Sequence, residues 1–179
     1  MLRILIAGLL GGLAMYIWST IAHVATPLGA VGVDTLPNQS ITAANLASSV
    51  GGRPGLYLFP MNMSGTPSAA TAPGGFLVFN PHTPTSIRPS NLVIEFLTEL
   101  VEAVLAAWLL AQTALAAYGA RVAFVTVVGI AAAIITNVPY WNWYGFPLDY
   151  TLAYGFVEIA GFLAAGLVIA AILRPRTTA

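Results

Sequence analysis

The sequence contains no cysteine and no lysine, and it has few charges of either sign. Without cysteine the chain can form no disulfide bond, thiolate nucleophile, iron–sulfur cluster or cysteine-ligated zinc site. Its six arginines only balance six acidic residues, so it lacks the basic surface that binds nucleic acid. Charged residues make up 7% of the chain, whereas a soluble domain carries about 25%. The sequence therefore excludes a nucleic-acid partner and indicates that lipid is the solvent of this chain.

Hydrophobic residues make up 58% of the chain, and the mean hydropathy is +0.85. Four apolar stretches are long enough to cross about 30 Å of hydrocarbon at about 1.5 Å per residue. They cover residues 2–24, 91–117, 122–144 and 150–173. We therefore expect an all-α integral membrane protein, a four-transmembrane-helix bundle with the lipid bilayer as its first partner.

The positions of the arginines predict the orientation. Four arginines flank one side of the predicted bundle: Arg3, Arg121, Arg174 and Arg176. The other two, Arg53 and Arg88, flank the opposite side. By the positive-inside rule both termini lie in the cytoplasm. The lysine-free, alanine- and arginine-rich composition is typical of a bacterial inner-membrane protein. Residues 1–24 then form the first transmembrane helix, residues 25–90 a periplasmic loop domain, and residues 91–179 three more helices with a short cytoplasmic tail.

The loop domain has secondary structure of its own. A helix is predicted from Asn38 or Ser40, either of which can cap it, to a stop at Gly51. Two β-prone runs at 56–59 and 76–79 predict a hairpin with its tip at 65–74. A lone hairpin is marginally stable, so we expect helix and hairpin to cover the mouth of the bundle. The apolar side chains available for this are Ile41, Ala44, Ala47, Val50, Leu56, Leu58, Phe76 and Val78.

Small residues predict where the helices pack. Gly8 and Gly12 form a GxxxG pair, which allows close approach of a neighbouring helix. Gly161 and Ala165 mark a similar face on the last helix. Consecutive helices joined by short loops are expected to be antiparallel neighbours, and the long periplasmic loop leaves the first helix free to close the bundle.

Polar residues recur on one face of each predicted helix and at a similar depth. Glu95, Glu99 and Glu102 fall within roughly 60° of arc. The candidates for ion or proton binding are His23, Glu95, Glu99, Glu102, Asn137, Tyr154 and Glu158. A single polar side chain in a membrane bundle is more often a hydrogen-bonded contact between helices. For a set of four glutamates and a histidine, a functional site and hydrogen-bonded packing both stay open.

The glutamates are costly in a membrane. A carboxylate at the bilayer centre costs about 2.5–3.5 kcal/mol on insertion scales, and no arginine or lysine lies within the predicted spans. The cluster must therefore be protonated, hydrated, or neutralised by a cation or a partner. The Glu-x-x-His pairs of di-metal sites are missing, so the metal stays unknown. No cofactor is predicted, and a bound cation, or a pigment on His23, stays open.

Five short strings stand in a fixed order: WSTIAH at 18–23, PLG at 27–29, LPN at 36–38, GLYLFP at 55–60 and YWNWYGFP at 140–147. In order and spacing they resemble a group of small bacterial four-span inner-membrane proteins of unknown function, over most of the chain. The resemblance implies a bacterial setting and this architecture, and it carries no catalytic residue.

Two functions follow from these patterns. The preferred one is a non-enzymatic membrane protein, either a self-associating bundle or an accessory subunit of a larger membrane complex, with a second copy or another membrane protein as partner. The alternative is a protein that handles protons or cations, or a metal-dependent membrane enzyme, built on the Glu/His cluster. A water-filled cavity that opens outward onto Glu99 and Glu102 would favour the alternative, and dry, interdigitated packing would favour the first.

Overall fold

The computed structural model describes residues 1–60, 74–84 and 86–173. These residues are mostly helical, with one two-stranded sheet and a short 3₁₀ turn at Pro27–Ala30. In chain order the elements are α1 (Leu2–Val24), α2 (Gln39–Ser49), β1 (Gly55–Phe59), β2 (Gly75–Phe79), α3 (Pro89–Ala111), α4 (Tyr118–Tyr144) and α5 (Leu148–Ile172). The short helix and the hairpin predicted between the first two long helices are both present.

Three of the described helices are long and apolar enough to cross a membrane. They are α1, α4 and α5, with mean hydropathies of 1.9, 2.1 and 2.2. The remaining long helix, α3, has 23 residues, the same number as α1, but carries Glu95, Glu99 and Glu102. Composition alone therefore supports three spans, and the place of α3 depends on what surrounds its glutamates.

The helix boundaries match the prediction for α1 but differ for α3 and α4. The predicted second span runs to Ala117, whereas α3 ends at Ala111. Just after it, the Thr113 hydroxyl donates to the carbonyl oxygen of Leu110 at 2.8 Å and accepts from the N–H of Leu115 at 3.5 Å. Such local bonds compete with the helical pattern, which apolar composition does not reveal. The connection is therefore residues 112–117, and residues 118–121, which lie between the second and third predicted spans, begin α4.

One consequence is that Arg121 lies inside α4. Its guanidinium is buried and donates a hydrogen bond to the carbonyl oxygen of Leu173, at the end of α5. A cation at a helix C-terminus is favourably placed against the exposed carbonyls there. The predicted span 122–144 contains no arginine, whereas the helix that corresponds to it begins at Tyr118 and includes Arg121 in its first turn. Arg174 and Arg176, which the orientation argument also used, lie outside the described residues.

The helix α2 begins where predicted but without the predicted cap. Asn38 precedes it with left-handed backbone (φ 51°) and makes no capping bond through its side chain. Gly51, at φ 61°, follows its end as expected. Val50 is buried, but Ile41 and Ala44 are exposed, so the predicted packing face is wrong over the first half of the helix.

The hairpin packs on the bundle at one end only. Its strands are antiparallel, with Leu56 opposite Val78 and Leu58 opposite Phe76. The Phe76 ring lies 5.0 Å from that of Tyr144 at the end of α4. Leu56 and Val78, predicted to pack in the same way, are 68% and 65% exposed. Apart from Gly74, the predicted tip lies outside the described residues.

The long helices pack in the order α3, α1, α5, α4. Consecutive helices are close neighbours for α4 and α5, as expected, but α3 and α4 contact each other little. The cause is the glycine pattern of α1. Gly8 and Gly12 lie against the backbone of α3, and Gly11 lies against Ile169 of α5. Because α1 has small residues on two faces, it lies between α3 and α5.

Gly161 and Ala165, the other predicted packing residues, also belong to the contact between α5 and α1. A Cβ at Gly161 would lie 3.2 Å from Met15 of α1. Ala165 is fully buried. Around them the core consists of small and branched side chains, among them Ala7, Ala103, Ala106, Val125, Phe162 and Ile169.

We predict that Gly8→Ala separates α1 from α3. The added Cβ would lie 2.5 Å from the Cα of Val104, a backbone atom that cannot rotate away. The free energy of unfolding should fall by about 1–3 kcal/mol, measured on the purified chain in detergent. Gly155→Ala in α5 is the matched control, because nothing lies within 4 Å of its added Cβ. Equal stability of the two variants would contradict the close contact of α1 and α3.

Candidate functional site

The four long helices line a partly open cavity of about 270 Å³, called here the carboxylate cavity. A water molecule occupies about 30 Å³ in the liquid, so this volume has room for several waters. Every candidate for ion or proton binding lines it. The lining residues are Met15, Trp18, Ser19 and His23 of α1, Glu95, Thr98, Glu99 and Glu102 of α3, Thr136 and Asn137 of α4, and Tyr154, Val157, Glu158 and Gly161 of α5.

Helical periodicity explains why the glutamates meet. Residues three and four apart share a face of a helix, so Glu95, Glu99 and Glu102 all point to one side of α3. Glu99 and Glu158 each lie about 15 Å along their helices from Pro89 and Leu148, the helix ends nearest the hairpin. The two helices therefore present carboxyl groups at the same level of the bundle.

Glu158 is held by hydrogen bonds from α4. Its Oε2 accepts from the Thr136 hydroxyl at 2.9 Å and from the Asn137 amide nitrogen at 3.1 Å. The same amide donates to the Ala133 carbonyl oxygen at 3.0 Å. This carboxyl group is therefore positioned by neighbouring side chains and also links α4 to α5.

Glu99 is the least satisfied member of the group. Its side chain is only 6% exposed. Within the described part of the chain, its buried Oε2 has no hydrogen-bond partner. Leaving a buried polar atom unpaired costs about 1–3 kcal/mol, and more when the group is charged. This oxygen therefore marks a position where a water, a proton or a cation would stabilise the fold.

The cavity is open between α3 and α4. Glu95 and Thr98 on α3 and Thr136 on α4 line it and are exposed, while Glu102 is half-buried. The opening follows from the packing order, because α1 holds α3 away from α4. The three glutamates of α3 thus differ in solvent exposure: Glu95 is exposed, Glu102 is half-buried and Glu99 is buried.

Aromatic side chains line the end of the cavity nearest the hairpin. The His23 Nδ1 donates to the Ser19 carbonyl oxygen at 2.9 Å, and its ring meets the Tyr154 ring edge-on at 5.8 Å. The Tyr154 hydroxyl donates to the Gly29 carbonyl oxygen at 3.4 Å. Trp18, which sequence reasoning missed, donates its indole N–H to the Val157 carbonyl oxygen at 2.9 Å. The sequence gives little indication that Trp18 belongs to a site, because tryptophan is common in membrane helices and carries no charge.

A second cavity, of about 630 Å³, lies between the hairpin and the α4–α5 turn and is called here the aromatic cavity. Sequence reasoning missed it, because its walls come from distant parts of the chain. Side chains that line it include Asp34, Phe59, Phe76, Trp143, Tyr144, Phe146 and Tyr150. Asp34 is its only acidic residue among those described.

The acidic residues of the chain are concentrated at these two cavities. Five of the six acidic residues line one or the other, and Asp149 is the exception. None of the arginines in residues 1–60, 74–84 and 86–173 lines either cavity. Clefts lined by one sign of charge attract ions of the opposite sign. Both cavities are therefore suited to positively charged ligands.

The carboxyl groups do not converge on one point. In the described ranges, no three or more histidine, aspartate or glutamate side chains are arranged to hold a metal ion. Three glutamates come from α3 and the fourth from α5, across the cavity. Comparison of the chain with protein-family models, curated proteins and solved structures gave no match.

Proposed function

We propose that this chain is a four-span membrane protein that binds a cation in the carboxylate cavity. In this proposal α3 is the fourth span, both termini are cytoplasmic in a bacterial inner membrane, and the hairpin lies on the periplasmic side. The length of α3 and its close contact with α1 along Gly8 and Gly12 support its place in the membrane. As part of the bundle, α3 turns its glutamates toward the cavity, where Glu99 is buried and Glu95 lies at the open gap.

The observation that carries the proposal is the buried, unpartnered Oε2 of Glu99 in a cavity with three further glutamates. Four carboxylates in a membrane would cost about 10–14 kcal/mol on insertion scales before their mutual repulsion is counted. At an effective dielectric constant of about 20, a unit charge about 4 Å from a carboxylate recovers about 4 kcal/mol. A cation close to two of these groups would therefore offset a large part of the cost.

Hydrogen-bonded contact between helices explains only part of the cluster. Glu158 fits that role, since it accepts bonds from Thr136 and Asn137. Glu99 and Glu102 instead line open volume, and Glu99 keeps an oxygen without a partner in the described residues. A purely structural cluster would be dry and paired, so the geometry favours a ligand.

The proposed site is closed at the end away from the hairpin. Beyond Glu102, toward the end away from the hairpin, α3 buries Ala103, Ala106 and Ala107 in the core. On the other side of the bundle, Gly129 of α4 lies directly against Phe162 of α5. Small, tightly packed residues leave no room for a hydrated ion there. The cation therefore enters and leaves from the hairpin side or from the gap between α3 and α4.

A second candidate is association with another membrane protein or a second copy of this chain. The observation that favours it is the gap between α3 and α4, which leaves Glu95 and Thr98 exposed. In that case a positively charged partner side chain would supply the neutralising charge. The chain would then be an accessory subunit whose cavity is completed by its partner.

We predict that α3 crosses the membrane. The chain has no cysteine, so single cysteines can be introduced at exposed Ala43 in α2 and at exposed Ala114 in the α3–α4 connection. In oriented membranes, a membrane-impermeant maleimide should label Ala43→Cys from the periplasmic side and Ala114→Cys from the cytoplasmic side. Labelling of both cysteines from the same side would rule out α3 as a span.

We predict saturable stabilisation of the full chain by a cation. The purified protein is titrated at matched ionic strength with sodium, calcium or tetramethylammonium chloride, and its thermal unfolding is followed. At 100 times the dissociation constant the stabilisation should reach about 2.7 kcal/mol. Glu99→Gln keeps the shape of the side chain, removes its charge, and should abolish the effect.

The matched control is Asp149→Asn, because Asp149 lines neither cavity. This variant changes the net charge as Glu99→Gln does and should respond like the wild type. The proposal fails if no cation stabilises the wild-type chain, or if Glu99→Gln is stabilised to the same extent.

A further inference from the structure

The aromatic cavity contains more aromatic surface than a bare ion requires. The ring centroids of Phe76 and Phe146 lie 6.2 Å apart, and Phe76 also meets Tyr144 at 5.0 Å. Phe146 is 5.5 Å from Tyr150. A cation above the face of such a ring gains about 0.5–2 kcal/mol, and recognition of ammonium groups is the best-known use of this arrangement. Asp34 adds a negative charge to the same cavity.

The aromatic cavity and the carboxylate cavity meet at one pair of rings. Tyr150 lines the first and Tyr154, one helical turn later, lines the second. The two rings stack with their centroids 4.2 Å apart. They therefore form the partition between the cavities.

The segment after α1 holds this partition from the other side. A Cβ at Gly32 would lie 2.6 Å from the Cβ of Tyr150, and the backbone there has φ +71°. Three residues earlier, the Gly29 carbonyl oxygen accepts the bond from the Tyr154 hydroxyl. The tyrosine pair is thus fixed by α5 and by the backbone at 29–32, next to His23.

The carboxylate cavity also combines aromatic rings with acidic side chains. Trp18, His23 and Tyr154 supply rings beside the glutamates, and the wall also includes Met15. A small inorganic ion would have to lose its hydration shell, and the described carboxyl groups do not converge as metal ligands. An organic ammonium ion can use charge and apolar surface together.

We propose that the aromatic cavity is a binding site for an organic ammonium ion with an apolar group, and that the same class of ion binds in the carboxylate cavity on the other side of the Tyr150–Tyr154 pair. This inference rests on the proposed function for its second part. The aromatic site itself is defined by Asp34 and the surrounding rings, and it binds the ion whether or not Glu99 is charged.

Tryptophan fluorescence separates the two sites. The chain has four tryptophans, of which Trp143 lines the aromatic cavity and Trp18 the carboxylate cavity. Three full-length proteins in lipid nanodiscs each keep one tryptophan, Trp18, Trp143 or Trp141, with the others changed to phenylalanine. Trp141 lines neither cavity and reports non-specific partitioning into the bilayer. Each protein is titrated with benzyltrimethylammonium chloride and, at matched ionic strength, with sodium chloride.

The expected result is a saturable change for Trp143 and for Trp18 with benzyltrimethylammonium, and none for Trp141. Phe76→Leu removes a ring but keeps apolar volume, and it should raise the half-saturation concentration of the Trp143 response about two- to fivefold. Asp34→Asn should also raise it, whereas Asp149→Asn should not. Glu99→Gln should abolish the Trp18 response and leave the Trp143 response intact.

Failures of the two proposals give different results. A Trp18 response without a Trp143 response overturns the aromatic site and leaves cation binding at the carboxylate cavity standing. A Trp143 change of equal size with sodium chloride overturns the organic class of the ligand. If neither Trp18 nor Trp143 changes its fluorescence with benzyltrimethylammonium, this inference is overturned. The proposed function still stands in that case if sodium or calcium stabilises the chain through Glu99.

Discussion

The free energy of keeping four carboxyl groups in one apolar bundle is the constraint on which the rest of this structure depends. No arginine of the described residues reaches them, since Arg121 is buried at the opposite end, where it donates a hydrogen bond to the carbonyl oxygen of Leu173, just after α5. The glutamates can therefore be tolerated only where something else supplies water, protons or positive charge. The bundle provides such a place by leaving α3 and α4 apart and by keeping Glu99 inside a cavity.

Glycine packing makes that arrangement possible. α1 contacts α3 through Gly8 and Gly12 and α5 through Gly11, so it acts as the central helix. Away from the hairpin the helices are packed through alanine and glycine, whereas nearer the hairpin larger side chains surround open volume. One chain thus combines a dry, closed half with a polar, open half. This asymmetry supports a binding site that is reached from one side.

The faces of the helices could be predicted from the sequence, and the order of the helices could not. A period of about 3.6 residues is enough to align Glu95, Glu99 and Glu102, and the same holds for Tyr154 and Glu158. Placing α1 in the centre requires knowing which neighbour each glycine meets, which depends on contacts distant in sequence. The early end of α3 depends on the Thr113 side chain, and the aromatic cavity depends on a contact between Phe76 and Tyr144. Hydropathy along the sequence predicts neither the end of α3 nor the aromatic cavity.

The most direct test of the account is whether the Glu99 carboxyl group itself responds to the cation. Infrared difference spectra of the chain, with carbon-13 in all glutamates, would be recorded on addition of whichever of sodium, calcium or tetramethylammonium stabilises it most. The account predicts a change in the isotope-shifted carboxyl bands that is largely lost in Glu99→Gln and retained in Asp149→Asn. A spectrum from Glu99→Gln that matches the wild type, or an absence of any glutamate band, would contradict cation binding at this cavity.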